Sequence, residues 1–313
     1  MFKRLSFFIL VLLVGPAIAE NQASQLSLSA VSTSISKKPS VPVAVLIDKL
    51  NPKRLFLRSS SAVIVDSLDQ TLLFEREADK VMSIASITKL MTAMVIIDHE
   101  LALDEPIRIK RADRDRLRGS RSRLSYGTIL TRYDHLKMAL AASENRASAA
   151  LARTFPGGKK AFINAMNQKA KSLGLKHTRF ADSSGLHSEN VSTAKELARL
   201  VDAAFDYPLI RKLSTVGKDS VTDLRSGWKI EFLNTNRLVR AKSWDIQLSK
   251  TGYIADAGYC LVMRTEIEDR PVTIVLLNSW GKLSKFGDSN RIKRWLKRAE
   301  KRALVDFVQA SNS

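Results

Sequence analysis

The chain has 313 residues, of which 45% are hydrophobic and 26% charged, enough apolar material to bury one sizeable core. Its single cysteine, Cys260, excludes an internal disulfide framework, and the strand-like run around it predicts a buried thiol. The formal net charge of +20 favours polyanionic partners, but no zinc-finger spacing or aromatic-basic array indicates nucleic acid, and we expect none.

The first residues have the pattern of a secretory signal. Lys3 and Arg4 precede an apolar run, and the small residues Ala17 and Ala19 suit a signal peptidase. The pattern predicts a signal peptide over residues 1–19 and a protein exported to the periplasm or another extracytoplasmic space. An uncleaved anchor is the alternative, but the run is shorter than the roughly 20 residues that span a bilayer. We expect no transmembrane span after cleavage.

A Ser-rich segment follows the signal. It has little periodicity and few apolar residues, so a flexible linker is predicted over residues 20–50. One folded domain is predicted over residues 51–308, with a tail at 309–313. The basic residues of an exported protein favour weak contact with an anionic wall or membrane surface, and a merely solvated basic face is the alternative.

Hydrophobic periodicity predicts strands at both ends of this domain and helices between them. The predicted strands are 62–66, 72–74, 229–233, 247–251, 260–264 and 272–277. The predicted helices are 87–99, 134–154, 159–173, 193–205 and 290–308. This order indicates an α+β fold, in which an antiparallel sheet is flanked by helices and an all-helical lobe is inserted between the strands.

Ser86 and Lys89 open the most apolar predicted helix. Their spacing of three places both side chains on one helical face, one turn apart. A serine hydroxyl needs a neighbouring base at neutral pH, and a desolvated lysine amine can lose its proton and act as that base. The spacing alone is a weak signal, because such pairs are common on exposed helices. A lysine in so apolar a helix favours a functional role.

Two later triplets carry similar chemistry. At 143–145, the hydroxyl of Ser143 could relay a proton and the amide of Asn145 could hold a substrate carbonyl, although a helix cap explains the same residues. Lys250 and Thr251 end a predicted strand and offer a cation and a hydroxyl to a ligand carboxylate. Gly252 lets that ligand approach the backbone. An ordinary strand end with a solvated lysine is the alternative for the second triplet.

Together the three motifs resemble, in order, the set S-x-x-K, S-D-N and K-T-G of penicillin-binding proteins and β-lactamases. The segments 83–93, 143–147, 180–186 and 249–253 are similar to the low-molecular-mass D-alanyl-D-alanine peptidases. The resemblance is closest to the DD-endopeptidase type, which lacks the extra C-terminal β-domain of many DD-carboxypeptidases. The chain departs from the pattern at Glu144, where the motif has Asp. No role is assigned to that acid, so the departure weakens the case little.

The resemblance implies a role for each matching residue. These roles are the acylated nucleophile (Ser86), its base (Lys89), a proton relay (Ser143), orientation of base and substrate (Asn145), carboxylate binding (Lys250, Thr251), close approach of substrate (Gly252) and an oxyanion hole formed by backbone N–H groups (Ser86, Tyr253). The resemblance further implies that peptidoglycan stem peptides and cross-bridges are the partners and that β-lactams are covalent inhibitors. No metal and no cofactor is expected.

The favoured function is therefore a serine DD-peptidase that hydrolyses D-alanyl cross-links in peptidoglycan through an acyl-enzyme on Ser86. A DD-carboxypeptidase that removes terminal D-Ala is the alternative. A β-lactamase is less favoured, because it needs a glutamate that holds the deacylating water. The candidates for that glutamate lie in no lactamase-like loop (Glu144, Glu189, Glu196, Glu231). A non-enzymatic wall binder would have no use for intact Ser86, Lys89 and Lys250.

Overall fold

The computed structural model describes residues 41–311, so the predicted signal and most of the predicted linker lie outside the described residues. The helices are α1 (Val43–Lys49), α2 (Lys89–Asp98), α3 (Arg132–Leu140), α4 (Asn145–Arg153), α5 (Gly158–Ser172), α6 (Ala194–Phe205), α7 (Pro208–Ser214) and α8 (Ser284–Ser311). The strands are β1 (Ser59–Asp66), β2 (Leu72–Arg76), β3 (Met82–Ser83), β4 (Pro106–Arg108), β5 (Ile129–Thr131), β6 (Val191–Ser192), β7 (Lys218–Thr222), β8 (Lys229–Leu233), β9 (Asp245–Ile254), β10 (Gly258–Ile267) and β11 (Arg270–Ser279).

Five strands form one antiparallel sheet in the order β2-β1-β11-β10-β9, which confirms the predicted α+β fold. Successive side chains of a strand point to opposite faces of the sheet. Val63 and Val275 therefore share one core cluster with α2 and α6, while their neighbours Ile64 and Ile274 pack with α8 on the other face. Because both faces are covered, the middle of β1 and of β11, residues 62–65 and 274–277, is apolar.

The helices α2 to α7 form the predicted lobe between β2 and the hairpin of β7 and β8. The lobe also contains two short strand pairs, β3 with β6 and β4 with β5. The helical region predicted over 134–154 consists of two helices, α3 and α4. The chain breaks between them at Ser143, whose φ of 58° lies in the left-handed region that a helix cannot accommodate.

The packed chain begins earlier than the predicted boundary at residue 51. Leu46 in α1 is fully buried in the cluster that includes α8. The buried Arg270 side chain donates to the Val41 carbonyl at 2.7 Å and pairs with Asp66 and Glu300. These contacts hold residues 41–50 on the domain, so the linker predicted up to residue 50 is wrong over this last part. A seven-residue helix is too short to show a hydrophobic period.

The closing helix α8 is longer than predicted at both ends. Its buried positions are those expected from the sequence: Ile292, Trp295, Leu296, Ala299 and Ala303. Residues 309–311 continue the helix, so the tail predicted at 309–313 begins inside α8. None of the helices within residues 41–311 combines the length and the apolar character that crossing a membrane would need.

Candidate active site

Ser86 lies on a short 3₁₀ turn, Ala85–Thr88, that leads directly into α2. Two glycines pack against this turn. A Cβ at Gly185 would lie 1.8 Å from the Ala85 carbonyl oxygen, and one at Gly252 would lie 3.0 Å from the Ser86 nitrogen. A loop from the helical lobe and strand β9 therefore both approach the Ser86 backbone closely. At Gly185 no side chain fits, and at Gly252 a Cβ would require the turn to shift.

Lys89 is fully buried, and its Nζ connects three parts of the site. Nζ lies 2.9 Å from Ser86 Oγ, 2.8 Å from Asn145 Oδ1 and 2.6 Å from the Ser184 carbonyl oxygen. Burial lowers the pKa of Lys89 to about 7, although the carboxylates of Asp182, Glu144 and Asp115 act to raise it. Near neutral pH, the amine beside the Ser86 hydroxyl is therefore neutral in a large fraction of molecules.

The break between α3 and α4 presents the second motif. Asn145 opens α4, and its Nδ2 donates to Ser120 Oγ at 2.9 Å. The carboxylate of Glu144, which had no assigned role, caps α4 by accepting from the Arg146 nitrogen and also accepts from the Arg123 nitrogen. Glu144 thus fixes the loop that carries Ser143 and joins it to the loop before β5.

Lys250 lies on β9 with its side chain 1% exposed. Its Nζ lies 2.9 Å from Ser143 Oγ and 3.0 Å from the Thr251 carbonyl oxygen. Burial, reinforced by the nearby charge of Lys89, holds the pKa of Lys250 well below its usual range. Thr251 donates to the Thr235 hydroxyl at 2.6 Å. The second and third motifs therefore meet in one hydrogen-bonded group next to Ser86 and Lys89.

Tyr253 follows this group on β9 and is 55% exposed. Its ring stacks on Tyr259 of β10 with centroids 4.2 Å apart. The two residues are direct partners in the antiparallel register. The stack fixes the exposed end of β9 beside the site.

A loop over residues 181–190 completes the base of the site, and no role was predicted for its side chains. The carboxylate of Asp182 accepts from the backbone nitrogens of Ser184, Gly185 and His187. Asn190 donates to the Asp182 carbonyl and to Thr88 Oγ1 in the turn that carries Ser86. This network aims the Ser184 carbonyl at Lys89. The only sequence signal was that residues 180–186 resemble the family.

Another unpredicted element lies across the site, in the loop before β5. Asp115 is buried and accepts from the backbone nitrogens of Leu117, Arg118 and Ser120. Burial opposes these hydrogen bonds, which nevertheless hold the pKa of Asp115 below its usual value. Arg118 donates to the Leu186 carbonyl at 2.8 Å and pairs with Asp256 after β9. This loop is thus attached to both other walls of the site.

The glutamates weighed for a β-lactamase are engaged elsewhere. Glu144 caps α4 as described, and Glu196 accepts from the His177 nitrogen and from Thr178 Oγ1. Glu189 pairs with Arg179, and Glu231 pairs with Lys218.

Within residues 41–311, no group of three or more His, Cys, Asp or Glu side chains is placed to hold a metal ion. Burial raises the pKa of the Cys260 thiol to about 11, in keeping with the predicted buried side chain.

Known proteins are similar to this chain in sequence and in fold. A family profile described as D-alanyl-D-alanine carboxypeptidase matches residues 49–281. A D-alanyl-D-alanine endopeptidase of Pseudomonas aeruginosa is 45% identical over 91% of this chain and 90% of its own length. One from Escherichia coli is 45% identical over 77% of each chain.

Solved structures agree with these sequence matches. The crystal structure of a Streptomyces DD-transpeptidase superposes with a TM-score of 0.71 at 25% identity, over 77% of this chain and 97% of that one. A penicillin-binding protein of Listeria monocytogenes in its cefotaxime-bound form superposes with a TM-score of 0.67 at 28% identity, over 77% and 98%.

Proposed function

Because the chain belongs to the D-alanyl-D-alanine carboxypeptidase family and is a serine DD-peptidase of peptidoglycan, we propose that it is an endopeptidase that cleaves the cross-bridge between stem peptides. The relatives that are 45% identical both carry the endopeptidase name. A carboxypeptidase of Bacillus subtilis is 33% identical, and one of Escherichia coli is 29% identical. Removal of terminal D-Ala is the alternative. Peptidoglycan lies outside the cytoplasm, and we propose that the predicted signal at residues 1–19 exports the chain to the periplasm.

The observation that carries the mechanism is the contact of 2.9 Å between Lys89 Nζ and Ser86 Oγ. In the proposed first step, the neutral amine of Lys89 takes the hydroxyl proton while Ser86 Oγ attacks the D-alanyl carbonyl carbon. The contacts with Asn145 and Ser184 hold the amine in the position that this transfer needs. A tetrahedral intermediate forms, with one C–O bond made and the negative charge on the former carbonyl oxygen.

Collapse of this intermediate requires a proton for the leaving amine. We assign the delivery to Ser143, whose hydroxyl lies 2.9 Å from Lys250 Nζ. The proton passes from Ser143 to the amine nitrogen as the C–N bond breaks. Ser143 regains a proton from the Lys250 ammonium, and the proton that Lys89 took from Ser86 then restores Lys250. General acid assistance of this kind contributes roughly 10²- to 10⁴-fold in rate. Water then hydrolyses the Ser86 ester and regenerates the enzyme.

Strand β9 supplies the proposed substrate-binding groups. Gly252 lets β9 lie directly against the turn of Ser86, and we place the extended stem peptide along β9 beside this contact. Thr251 and Lys250 would hold the carboxylate that follows the scissile bond. The backbone N–H groups of Ser86 and Tyr253 would bind the oxyanion, each being worth about 3 to 4 kcal/mol in the transition state. β-Lactams would acylate Ser86 in the same cleft beside β9, as the cefotaxime-bound Listeria protein suggests.

The proposal is tested by incubating the exported protein with purified cross-linked muropeptide dimers and following the products by mass. Conversion of dimers to monomers, absent in Ser86→Ala, is the expected result. Loss of one alanine with the dimer intact would establish the carboxypeptidase instead. A protein that cleaves neither bond but hydrolyses a β-lactam rapidly would overturn the assignment in favour of the lactamase.

A further inference from the structure

A cationic groove lies far from Ser86, where α8 faces the segment after α1. Its volume is about 700 Å³, and seven cationic side chains but only one carboxylate line it. α8 contributes Arg294, Arg298 and Lys301, and Arg54 with Phe56 forms part of the opposite wall. The ring of Phe56 is 73% exposed. So many cations around one cavity create a field that attracts anions.

Within residues 41–311, most of the charges in this groove have no carboxylate partner. The single carboxylate, Asp306, pairs with Lys49, and Arg291 pairs with Asp288. Among residues 41–311, Arg54, Arg294, Arg298 and Lys301 have no carboxylate within salt-bridge distance. Bringing like charges together costs free energy unless an anion compensates them. The arrangement therefore points to a ligand rather than to structural ion pairing.

The groove is elongated along α8. Its cations recur at 291, 294, 298, 301 and 302, which is one side of the helix. With a rise of 1.5 Å per residue, this row is roughly 16 Å long. An extended peptide advances about 3.3 to 3.6 Å per residue, so the row matches roughly five residues of extended chain. A row of this length fits an extended polymer that carries several carboxylates better than it fits a single small anion.

The sheet separates this groove from the catalytic site. Residues of α8 pack with Ile64 and Ile274 on one face, whereas α2, which carries Lys89, packs with Val63 on the other. A polymer chain held in the groove would therefore leave the cleft beside Ser86 open. The enzyme could hold one chain of a cross-linked polymer and cleave a neighbouring cross-link.

We propose that the α1–α8 groove is a second, non-catalytic binding site for peptidoglycan, which engages the carboxylates of stem peptides. The choice of this polyanion rests on the proposed function, because a peptidoglycan peptidase meets that polymer wherever it works. Binding at the groove raises the local concentration of cross-links at Ser86 without adding a contact to the scissile bond. It should therefore affect hydrolysis of the insoluble network and not of small soluble fragments.

The test uses the exported protein with Ser86→Ala, so that the polymer stays intact, and co-sedimentation with purified peptidoglycan sacculi. Combined Arg294→Glu, Arg298→Glu and Lys301→Glu should weaken binding about tenfold or more. The matched control, Lys160→Glu, Lys171→Glu and Lys176→Glu, changes the same charge on exposed positions of the helical lobe. It should stay within about twofold of the parent. Equal loss in both triple variants, or loss in neither, would overturn the proposal.

Two further arms keep the result interpretable. In the first, the same three groove positions are changed to Gln. Thermal unfolding of every variant then separates loss of binding from loss of folding. Vesicles containing phosphatidylglycerol are the second probe. Groove-dependent binding to these vesicles, without binding to sacculi, would overturn the choice of polymer. With Ser86 restored, the groove variants should cleave soluble dimers like the parent. If the protein with Ser86 and an unchanged groove does not cleave dimers, the proposed function is overturned. The binding to sacculi is then judged separately.

Discussion

The Lys250 amine lies 2.9 Å from the Ser143 hydroxyl, although the two residues are 107 positions apart in the chain. Ser143 reaches this position with a left-handed φ of 58°. A serine held in this conformation costs about 1 to 2 kcal/mol relative to glycine, so the contact is maintained against backbone strain. The loop between α3 and α4 therefore positions the Ser143 hydroxyl at a cost in the free energy of folding.

We expect Ser143→Gly and Ser143→Ala to lose activity alike and to differ in stability. Both remove the proposed proton relay, so turnover of muropeptide dimers should fall about 10²-fold or more. Glycine also relieves the strain, and its free energy of unfolding should exceed that of the alanine variant by about 1 kcal/mol. Urea unfolding and dimer hydrolysis measure the two effects. Ser172→Ala, at the exposed end of α5, is the control. Normal turnover in both variants would contradict the relay.

The rate of acylation should depend on pH through Lys89. Its pKa is lowered to about 7 by burial, and only the neutral amine can accept the Ser86 proton. Acylation by a penicillin should therefore be slow in acid, rise through pH 7 and level off above it. Stopped-flow measurements under single-turnover conditions give the profile. Lys89→Arg, whose guanidinium does not deprotonate, should be inactive at every pH. A rate that is flat across neutrality would show that Lys89 is not the base.

Gly185→Ala should disturb the nucleophile more than an ordinary left-handed glycine would. The added Cβ would lie 1.8 Å from the Ala85 carbonyl oxygen, at a φ of 80°. Backbone strain and the clash together should cost about 3 kcal/mol or more and slow acylation of Ser86. Gly174→Ala is the matched control, because its φ is 69° but nothing lies within 4 Å of the new methyl group. We expect it to cost about 1 to 2 kcal/mol and to leave acylation unchanged. Equal unfolding midpoints would refute the close approach.

Arg270→Met should strongly destabilise the domain. The arginine is 2% exposed and pairs with the buried carboxylates of Asp66 and Glu300, and its loss removes both of these ion pairs. Breaking a buried ion pair from one side typically costs about 3 to 5 kcal/mol. Chemical unfolding at neutral pH measures the loss, with the exposed Lys242→Met as control. A loss no larger than that of the control would mean that the pair contributes little.

The local part of the site could be predicted from the sequence. Ser86 and Lys89 are three residues apart on one turn of helix, so their contact follows from helical geometry alone. The buried side of α8 was also predictable, because its apolar residues recur with the helical period. In both cases the positions are fixed by one element, and no long-range contact is needed.

The remainder of the site depends on long-range contacts that leave no local pattern. The Ser184 carbonyl bonded to Lys89 is a backbone group, which every residue type carries. Of the hairpin of β7 and β8, only β8 was predicted. The strand β7, Lys218–Thr222, is mostly polar, and only Val221 in it is buried. The linker predicted over helix α1 was wrong because the helix is held by contacts with α8, such as the ion pair of Lys49 with Asp306, more than two hundred residues later.

The pairing of β1 with β11 has a consequence for the order of folding. Ser59 is the partner of Ser279, so β1 can pair early with β2 but lacks the central strand β11 until almost the whole chain is available. Contacts of such long sequence separation form slowly, because a large loop must close first. A chain that emerges from its N-terminus onward therefore cannot complete its sheet early. The Ser86–Lys89 pair forms locally, but it acquires its Ser143–Lys250 neighbours only once β9 is in place, so competence to cleave the wall arises last.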